Sequence, residues 1–299
     1  MRKDGRMFMS CSSPFKVDES YKRNCDILVS YAYKSAYEYF IELAKQKENK
    51  PLFMVDSGAW TDTRGTTNMR KKGNIYLEVV NKDIEYIDYF AQLDILPKSR
   101  FTPSIDYDEC KHTAEYNMEN YLQVRKQTDH PEKILAVYHS GEPLEYLDWL
   151  IDFQPEIPLI GLALRSDDRD RIFAYLKTKV DLNKRKFHLL GVGNIKDLRR
   201  LNAWSSDSST FIRHAAFNVL PCDLLNTVNI GNRENPAFNL DERQKENLFK
   251  YIKTFSDVPP ELYMADWRER MKVWLDFLCS KEFKDFVYVG DTLIKRKLF

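Results

Sequence analysis

The chain has 299 residues, of which 43% are hydrophobic and 13% aromatic, enough to bury a sizeable core and to exclude a disordered or fibrous protein. Its 46 basic and 45 acidic residues leave a net charge of +1, so a polyanion would have to bind a local patch. No run approaches the ~20 apolar residues of a membrane helix, and residues 1–13 lack the apolar stretch of a signal peptide. We therefore expect a cytoplasmic protein.

Short apolar runs that end in a polar residue alternate with stretches of helical periodicity, roughly eight times along the chain. Near-continuous apolar runs are typical of strands buried on both faces of a parallel sheet. The predicted strands span residues 26–31, 52–56, 89–96, 134–139, 159–164 and 187–192, with a further strand before Asp207. The predicted helices span residues 114–127, 144–153, 169–179 and 195–202. The pattern predicts an α/β fold with one (β/α)8 TIM-type barrel over residues 1–232.

The last part of the chain differs from this pattern. Residues 233–299 contain two predicted helices, at 241–254 and 260–278, before a basic end. We interpret this segment as a short helical C-terminal cap packed on the barrel. The cysteines are odd in number and far apart, which predicts reduced side chains and neither a disulfide framework nor a zinc site; they are Cys11, Cys25, Cys110, Cys222 and Cys279.

Four polar residues directly follow apolar runs, where barrel enzymes place their reactive groups. Asp56 follows residues 53–55, and Asp94 follows residues 90–93. His139 and Asp207 follow the runs that lead to them in the same way. The sequence therefore predicts that three carboxylates and an imidazole face one barrel mouth.

Seven short motifs follow one another along about two thirds of the chain: DSGAW at 56–60, LDI at 93–95, the helical segment at 117–121, VYHSGE at 137–142, LIGLA at 159–163, HLLGVGN at 188–194 and SSDSST at 205–210. In this order they resemble the guanine transglycosylases, most closely the compact phage and bacterial DNA-modifying branch of that family. No motif is specific alone, since Asp-Ser-Gly is common, but the ordered set is much harder to obtain by chance.

The resemblance implies a pentosyltransferase that exchanges guanine for a 7-deazaguanine base through a covalent aspartyl-sugar intermediate. Asp207 matches the nucleophile that attacks C1′ in a double displacement, as in retaining glycosidases. We assign Asp56 as the group that gives a proton to the leaving guanine and takes one from the incoming base.

The resemblance also implies how the base is read. Guanine offers N1–H and N2–H₂ as donors and O6 as an acceptor. Asp94 would accept from the donors, while a backbone N–H on the opposite rim would come from Gly161 and from the turn formed by His139, Ser140 and Gly141. In DSGAW, the aromatic Trp60 would stack on the base, and Gly58, after Ser57, would let the backbone approach the ligand.

Departures from the family narrow the substrate. The tRNA enzymes carry a CxCxxC plus His zinc site that is missing here, so we expect no metal, and the chemistry needs no organic cofactor. The archaeal tRNA enzymes also carry RNA-binding domains, for which 299 residues leave no room. Both departures favour DNA over tRNA as the polymer. The site of action would be the cytoplasm, that of the host if the gene belongs to a phage. Whether the enzyme forms a homodimer stays open.

Other functions remain as alternatives. The same chemistry could act on tRNA, or the chain could be a non-catalytic nucleic-acid-binding subunit of a modification complex. Retention of both Asp56 and Asp207 argues against the non-catalytic subunit, which has no chemical need for them. A third alternative is a barrel hydrolase that releases guanine without an acceptor base.

Each site residue also has a structural alternative. Asp94 could cap a helix, in which case Asp106 or Asp108 would read the base. His139 could be a packed histidine bonded to backbone, Trp60 could cover the mouth, and Asp207 could form a turn with its neighbouring serines.

Phosphates would need a local basic cluster. The candidates are Arg70-Lys71-Lys72, Lys184-Arg185-Lys186, Arg199-Arg200 and Lys295-Arg296-Lys297. Such clusters are usually solvated surface. We favour Arg70, Lys71 and Lys72, because they follow the Asp56 motif in what the sequence predicts to be a loop, and such loops rim the active face of a barrel.

Overall fold

The computed structural model describes residues 5–46, 49–59, 69–102, 104–153, 158–221, 227–230, 240–280 and 283, without the side chains of residues 69–74, 100, 101, 195 and 227–229. Within these residues, eight parallel strands pair in chain order and close into one barrel, with helices in the connections between strands. The fold is a TIM-type (β/α)8 barrel, which confirms the predicted class.

The barrel strands are β1 Arg6–Cys11, β2 Ile27–Ser30, β3 Phe53–Asp56, β4 Tyr89–Ala91, β5 Ile134–His139, β6 Leu159–Ala163, β7 Lys186–Leu189 and β8 Ser205–Ser208. The helices that follow them in turn are α1 Pro14–Lys22, α2 Lys34–Lys45, α3 Met69–Lys82, α4 Tyr107–Gln127, α5 Leu144–Asp152, α6 Arg169–Lys179, α7 Ile195–Leu201 and α8 Thr210–Ala216. After α8 come a two-stranded antiparallel sheet of β9 Val219–Pro221 and β10 Thr227–Asn229, and the helices α9 Glu242–Ile252, α10 Pro260–Ala265 and α11 Trp267–Cys279.

Strand β1 closes the barrel. It pairs with β2 through Met9 and Ile27, and with β8 through Phe8 and Asp207. The sequence analysis did not identify this strand, because RMFMSC contains no β-branched residue and its burial depends on neighbours that are distant in the chain. The predicted bounds of β5 and α6 match the structure, whereas β4 ends at Ala91 and the residues up to Leu96 lie outside it.

The core has two layers that follow from the strand alternation. Inside the barrel, one buried cluster joins Phe8, Leu28, Met54 and Val137 of four strands with Trp204, which immediately precedes β8. Outside it, a larger cluster packs the other faces of the strands against the helices, with the rings of Phe40 and Phe53 stacked 3.7 Å apart. Strands buried on both faces explain the near-continuous apolar runs in the sequence.

The C-terminal helices contact the barrel through α11. Met271 and Leu275 belong to the same cluster as the barrel helices. Arg270 donates Nε to the carbonyl of Ala215 at 2.7 Å, and Trp274 donates Nε1 to the carbonyl of Val219 at 2.7 Å. The predicted helix at 260–278 is two helices, because Asp266 ends α10 and caps the N-terminus of α11.

One cysteine prediction is wrong. Cys25 and Cys279 form a disulfide that joins the end of α11 to the residues before β2, across a sequence separation of 254 residues. The wide spacing concealed the pair, because only the docking of α11 brings the two residues together. Cys11 and Cys110 are free and buried, and Cys222 lies outside the described residues. In the described part of the chain, no helix is long and apolar enough to cross a membrane.

Candidate functional site

The strand alternation builds a polar layer above the apolar interior of the barrel. Side chains two positions apart on a strand point to the same face. Ser10, Ser30, Asp56 and His139 each follow an interior apolar residue by two positions: Phe8, Leu28, Met54 and Val137. These four polar residues, with Asp94 and Asp207, line one cavity of about 890 Å³ at the carboxyl ends of the strands. This is the face on which TIM barrels carry active sites.

Asp207 lies within β8 and has donors on both carboxylate oxygens. Its Oδ2 accepts from the hydroxyl of Ser10 at 2.7 Å. Its Oδ1 accepts from the backbone N–H of Gly191 at 2.7 Å and lies 3.3 Å from Nε2 of His188. Burial acts to raise the pKa of Asp207, but the hydrogen bond and charge of His188, with the donors Ser10 and Gly191, outweigh it and hold the pKa below its ordinary value. Asp207 is therefore an ionised carboxylate at neutral pH.

Asp56 ends β3 in a different environment. Its one described backbone donor is the N–H of Gly58, 3.1 Å from Oδ2. Burial, the charge of Asp94 and, more weakly, the charge of Asp207 raise the pKa of Asp56 to about 7. At neutral pH this carboxyl group is therefore present in both its protonated and its ionised form.

Asp94 follows β4 and is held by two side chains. Its Oδ1 accepts from the hydroxyl of Ser57 at 2.7 Å, and its Oδ2 lies 2.8 Å from Nε2 of His139. The other ring nitrogen of His139 lies 3.0 Å from Oε1 of Glu142. Since carboxylates accept hydrogen bonds, both ring nitrogens must donate, and His139 is an imidazolium.

The charges of this group depend on one another. Burial opposes a charged imidazolium, but the attraction of Glu142 and the hydrogen bonds to Asp94 and Glu142 raise the pKa of His139 to about 9. Burial likewise acts to raise the pKa of Asp94, but His139 outweighs it and lowers that pKa below its ordinary value. Asn117 on α4 braces the group, because its Nδ2 donates to Glu142 at 3.1 Å and its Oδ1 accepts from the N–H of Ile95 at 2.9 Å. His139 is thus bonded to carboxylates and not only to backbone.

The predicted glycines at the mouth occupy special conformations. Gly58 has φ +85°, and an added Cβ would lie 3.3 Å from the hydroxyl of Ser30. Gly141 has φ +91°, and an added Cβ would lie 2.6 Å from Ile105 and 2.8 Å from Cys110. Both positions require glycine for the turn itself.

Ser140 and Gly161, which were expected to offer a backbone N–H to the base, are instead held within the barrel. The N–H of Ser140 donates to the carbonyl of Ala163 at 3.2 Å, and its hydroxyl accepts from the N–H of Arg165 at 2.8 Å. Gly161 lies in the middle of β6, paired with Val137 on one side and His188 on the other. At the end of this strand the cavity is lined by Ala163 and Leu164 instead. Gly161 therefore lies within the strand and not on the rim, as the predicted strand at 159–164 already implied.

Other predicted residues fall outside the cavity or outside the described part of the chain. Asp106 caps α4 by accepting from the N–H of Glu109 at 3.0 Å, and neither Asp106 nor Asp108 lines the cavity. Trp60 lies outside the described residues. Arg70, Lys71 and Lys72 are in the first turn of α3 and not in a loop, and their side chains are not described.

The residues of the other basic clusters that are discussed below also lie either outside the cavity or outside the described part of the chain. Arg185 is buried and donates to the carbonyl of Leu150 at 2.8 Å, and Arg200 pairs with Asp170 at 2.6 Å. Residues 295–297 lie outside the described part of the chain. Neither Arg185 nor Arg200 is among the residues that line the cavity.

Three residues that bond to the carboxylates or the imidazole of the site were not predicted from the sequence. Ser10 gave no signal, because β1 was not identified. His188 and Glu142 lie within the quoted HLLGVGN and VYHSGE motifs but received no role. A search for titratable residues at or just beyond strand ends would have found both of these.

Comparisons with known proteins add no family assignment. A scan against protein-family models finds no match, and a search of curated proteins finds no relative.

Among the described residues, no group of three or more His, Cys, Asp or Glu side chains could hold a metal ion. The fold and the site together define a TIM-type barrel with a cluster of titratable side chains at its mouth.

Proposed function

We propose that the protein is a guanine transglycosylase that replaces guanine in DNA with a 7-deazaguanine base. The observation that carries the proposal is the pair Asp56 and Asp207, which line one cavity while the pKa of the first is raised to about 7 and that of the second is lowered. Carboxyl groups whose pKa values are pushed apart are suited to separate acid–base and nucleophilic roles.

In the first half of the reaction, an oxygen of Asp207 attacks C1′ of the target nucleotide. The bond between C1′ and guanine breaks, and its electron pair stays with the base. Protonated Asp56 gives its proton to the departing guanine, which leaves a sugar ester on Asp207 and a carboxylate at Asp56.

In the second half, the carboxylate of Asp56 takes a proton from the incoming base. The base then attacks C1′, and the ester oxygen of Asp207 leaves as a carboxylate. Two displacements retain the sugar configuration and return both carboxyl groups to their starting state. A pKa of about 7 suits Asp56 to both transfers.

Asp94 would select guanine within the same cavity. Each of its oxygens already accepts one hydrogen bond, from Ser57 or from His139, and a carboxylate oxygen has a second acceptor position. These free positions could accept N1–H and N2–H₂ of the base. Adenine has no N1–H or N2–H₂ donor, so these acceptor positions would be left without donors, which disfavours the wrong base.

The test is mass spectrometry of nucleosides from DNA that has been incubated with the protein and candidate 7-deazaguanine bases. Incorporation of the base with stoichiometric release of guanine is the expected result. Parallel incubation with tRNA distinguishes the two polymers. Release of guanine without incorporation would indicate a hydrolase, and the absence of any change in DNA and in tRNA would overturn the proposed activity.

A further inference from the structure

The two sides of the cavity rim carry different cations. On the β6 side, Arg165 donates Nε and an NH₂ group to Asp167 at 3.1 and 2.8 Å, and Arg169 pairs with Asp197 at 3.0 Å. These two guanidinium groups are therefore already neutralised by carboxylates.

The side formed by β8, β1 and β2 is different. Lys16, on α1, donates to the hydroxyl of Ser12 at 2.8 Å, and Arg213 projects from α8 with an exposed side chain. Neither makes an ion pair with any carboxylate in the part of the chain that the structure describes. Both line the cavity. On this side of the rim, the two cations are thus not paired with carboxylate side chains.

Two large aromatic side chains are exposed on the same side. Tyr33 immediately precedes α2 and is 41% exposed, and Phe217 immediately follows α8 and is 67% exposed. Both line the cavity. Because β8, β1 and β2 are neighbours in the closed barrel, the segments after these strands bring the two rings and the two cations to one arc of the mouth.

We propose that this rim strip, formed by Lys16, Tyr33, Arg213 and Phe217, binds a single-stranded stretch of nucleic acid beside the target nucleotide. The cations would contact phosphates, and the rings would stack on flanking bases, a contact worth about 1–3 kcal/mol per base. The inference rests on the proposed function, since it places the polymer of that reaction.

Charge segregation supports this placement. The carboxylates Asp94 and Asp207, with Asp56 in its ionised form, repel a phosphate from the interior of the cavity. The uncharged base and its sugar can enter, so the charged phosphates have to remain on a cationic part of the rim. An exposed aromatic next to an uncompensated cation is the combination that single-strand binding proteins use.

The experiment measures binding without exchange. A fluorescein-labelled oligothymidylate contains no guanine, so its fluorescence anisotropy reports the polymer contact alone. Phe217→Ala and Tyr33→Ala should each weaken binding about 5- to 150-fold. Lys16→Gln with Arg213→Gln should lower the slope of log affinity against log salt by about 0.7 for each lost contact. A labelled oligouridylate, measured in parallel, shows whether the strip prefers DNA or RNA.

The matched control is Lys177→Gln, an exposed lysine in the last turn of α6, at the opposite end of the barrel from the mouth. It should leave affinity and salt slope unchanged. Phe217→Trp and Arg213→Lys should restore the ring and the charge, and recovery of binding separates loss of contact from misfolding.

The outcomes separate the strip from the proposed reaction. Unchanged binding in Phe217→Ala, together with an unchanged salt slope in the double lysine and arginine variant, would overturn the strip even if wild-type protein exchanges bases. An equal loss in Lys177→Gln would also overturn it, because the binding would then be diffuse. Loss of binding in the strip variants with no base exchange by wild-type protein would retain the strip and reject the transglycosylase.

Discussion

The two sides of the barrel mouth shift the pKa of a buried aspartate in opposite directions. Asp207, on the β8 side, receives hydrogen bonds from Ser10 and Gly191 and lies beside His188, so its pKa is lowered. Asp56, on the β3 side, is buried beside the charge of Asp94, and the hydrogen bonds from Gly58 and Ser30 do not offset this, so its pKa is raised to about 7. The sign of the nearest charge and the hydrogen-bond donors therefore decide which of the two buried carboxyl groups is fully ionised at neutral pH.

The largest effect is expected at Asp207. Asp207→Asn removes the anionic oxygen that would attack C1′ in the proposed reaction, so exchange should fall by about 10⁴-fold or more while oligonucleotide binding persists. Incorporation of a labelled deazapurine into DNA measures the loss. Asp170→Asn, an exposed carboxylate on α6, is the control and should keep normal activity. Near-normal turnover in Asp207→Asn would show that Asp207 is not the nucleophile.

Asp56 should show the next largest effect. Asp56→Asn should slow exchange by about 10²–10⁴-fold, because general acid–base catalysis is lost. In the wild-type protein, the rate of guanine release should fall as pH rises through about 7, since only the protonated form can give a proton. A pH–rate profile measures both effects. Persistence of that pH step in the variant would assign it to another group.

A stability measurement checks that Asp56→Asn remains folded. A carboxyl group with a raised pKa contributes stability below its unfolded value of about 3.8, and this contribution is lost as pH rises through about 7. The variant should therefore gain stability over wild type between pH 4 and pH 8. The pKa shift sets an upper bound of roughly 4 kcal/mol on this gain, and the partial exposure of Asp56 to the cavity makes the gain smaller than that. Urea unfolding at several pH values measures it.

His139→Gln tests what holds the β3–β5 side together. The pKa of His139 is raised from 6.5 to about 9, so its contribution to stability is complete below pH 6.5 and is lost as pH rises through 9. Wild-type protein should lose roughly 3 kcal/mol of unfolding free energy over this range, and the variant should lose much less. His112→Gln, at an exposed histidine, should behave as wild type. An equal pH dependence in both variants would show that His139 is not an imidazolium.

The smallest effect is expected from a single donor on the β8 side. Ser10→Ala removes the hydrogen bond to Oδ2 of Asp207 but leaves those of Gly191 and His188. The pKa of Asp207 should rise towards its ordinary value, because one of the hydrogen bonds that lower it is lost, and this moves the acid limb of the pH–rate profile to higher pH. Ser10→Thr keeps the hydroxyl and should restore the limb. An unmoved limb in Ser10→Ala would show that Ser10 does not set this pKa.

The sequence by itself determined the barrel and the positions of Asp56, Asp94, His139 and Asp207 at or near strand ends. This was possible because a strand buried on both faces and a polar residue at its end are local patterns, readable from a few consecutive residues. The local signals failed where an element is weak alone. Strand β1 has no β-branched residue, so no local pattern marked it as a strand.

Only the tertiary structure decided the chemical state of each group. Ser10 and Asp207 are 197 residues apart, Asp94 and His139 are 45 apart, and Cys25 and Cys279 are 254 apart. A pKa depends on the distance to donors and charges in space, and barrel closure brings these residues together from different strands and helices. The sequence could therefore name the carboxylates, but the closing of β1 against β8 and the burial of His139 between Asp94 and Glu142 assign which one holds a proton.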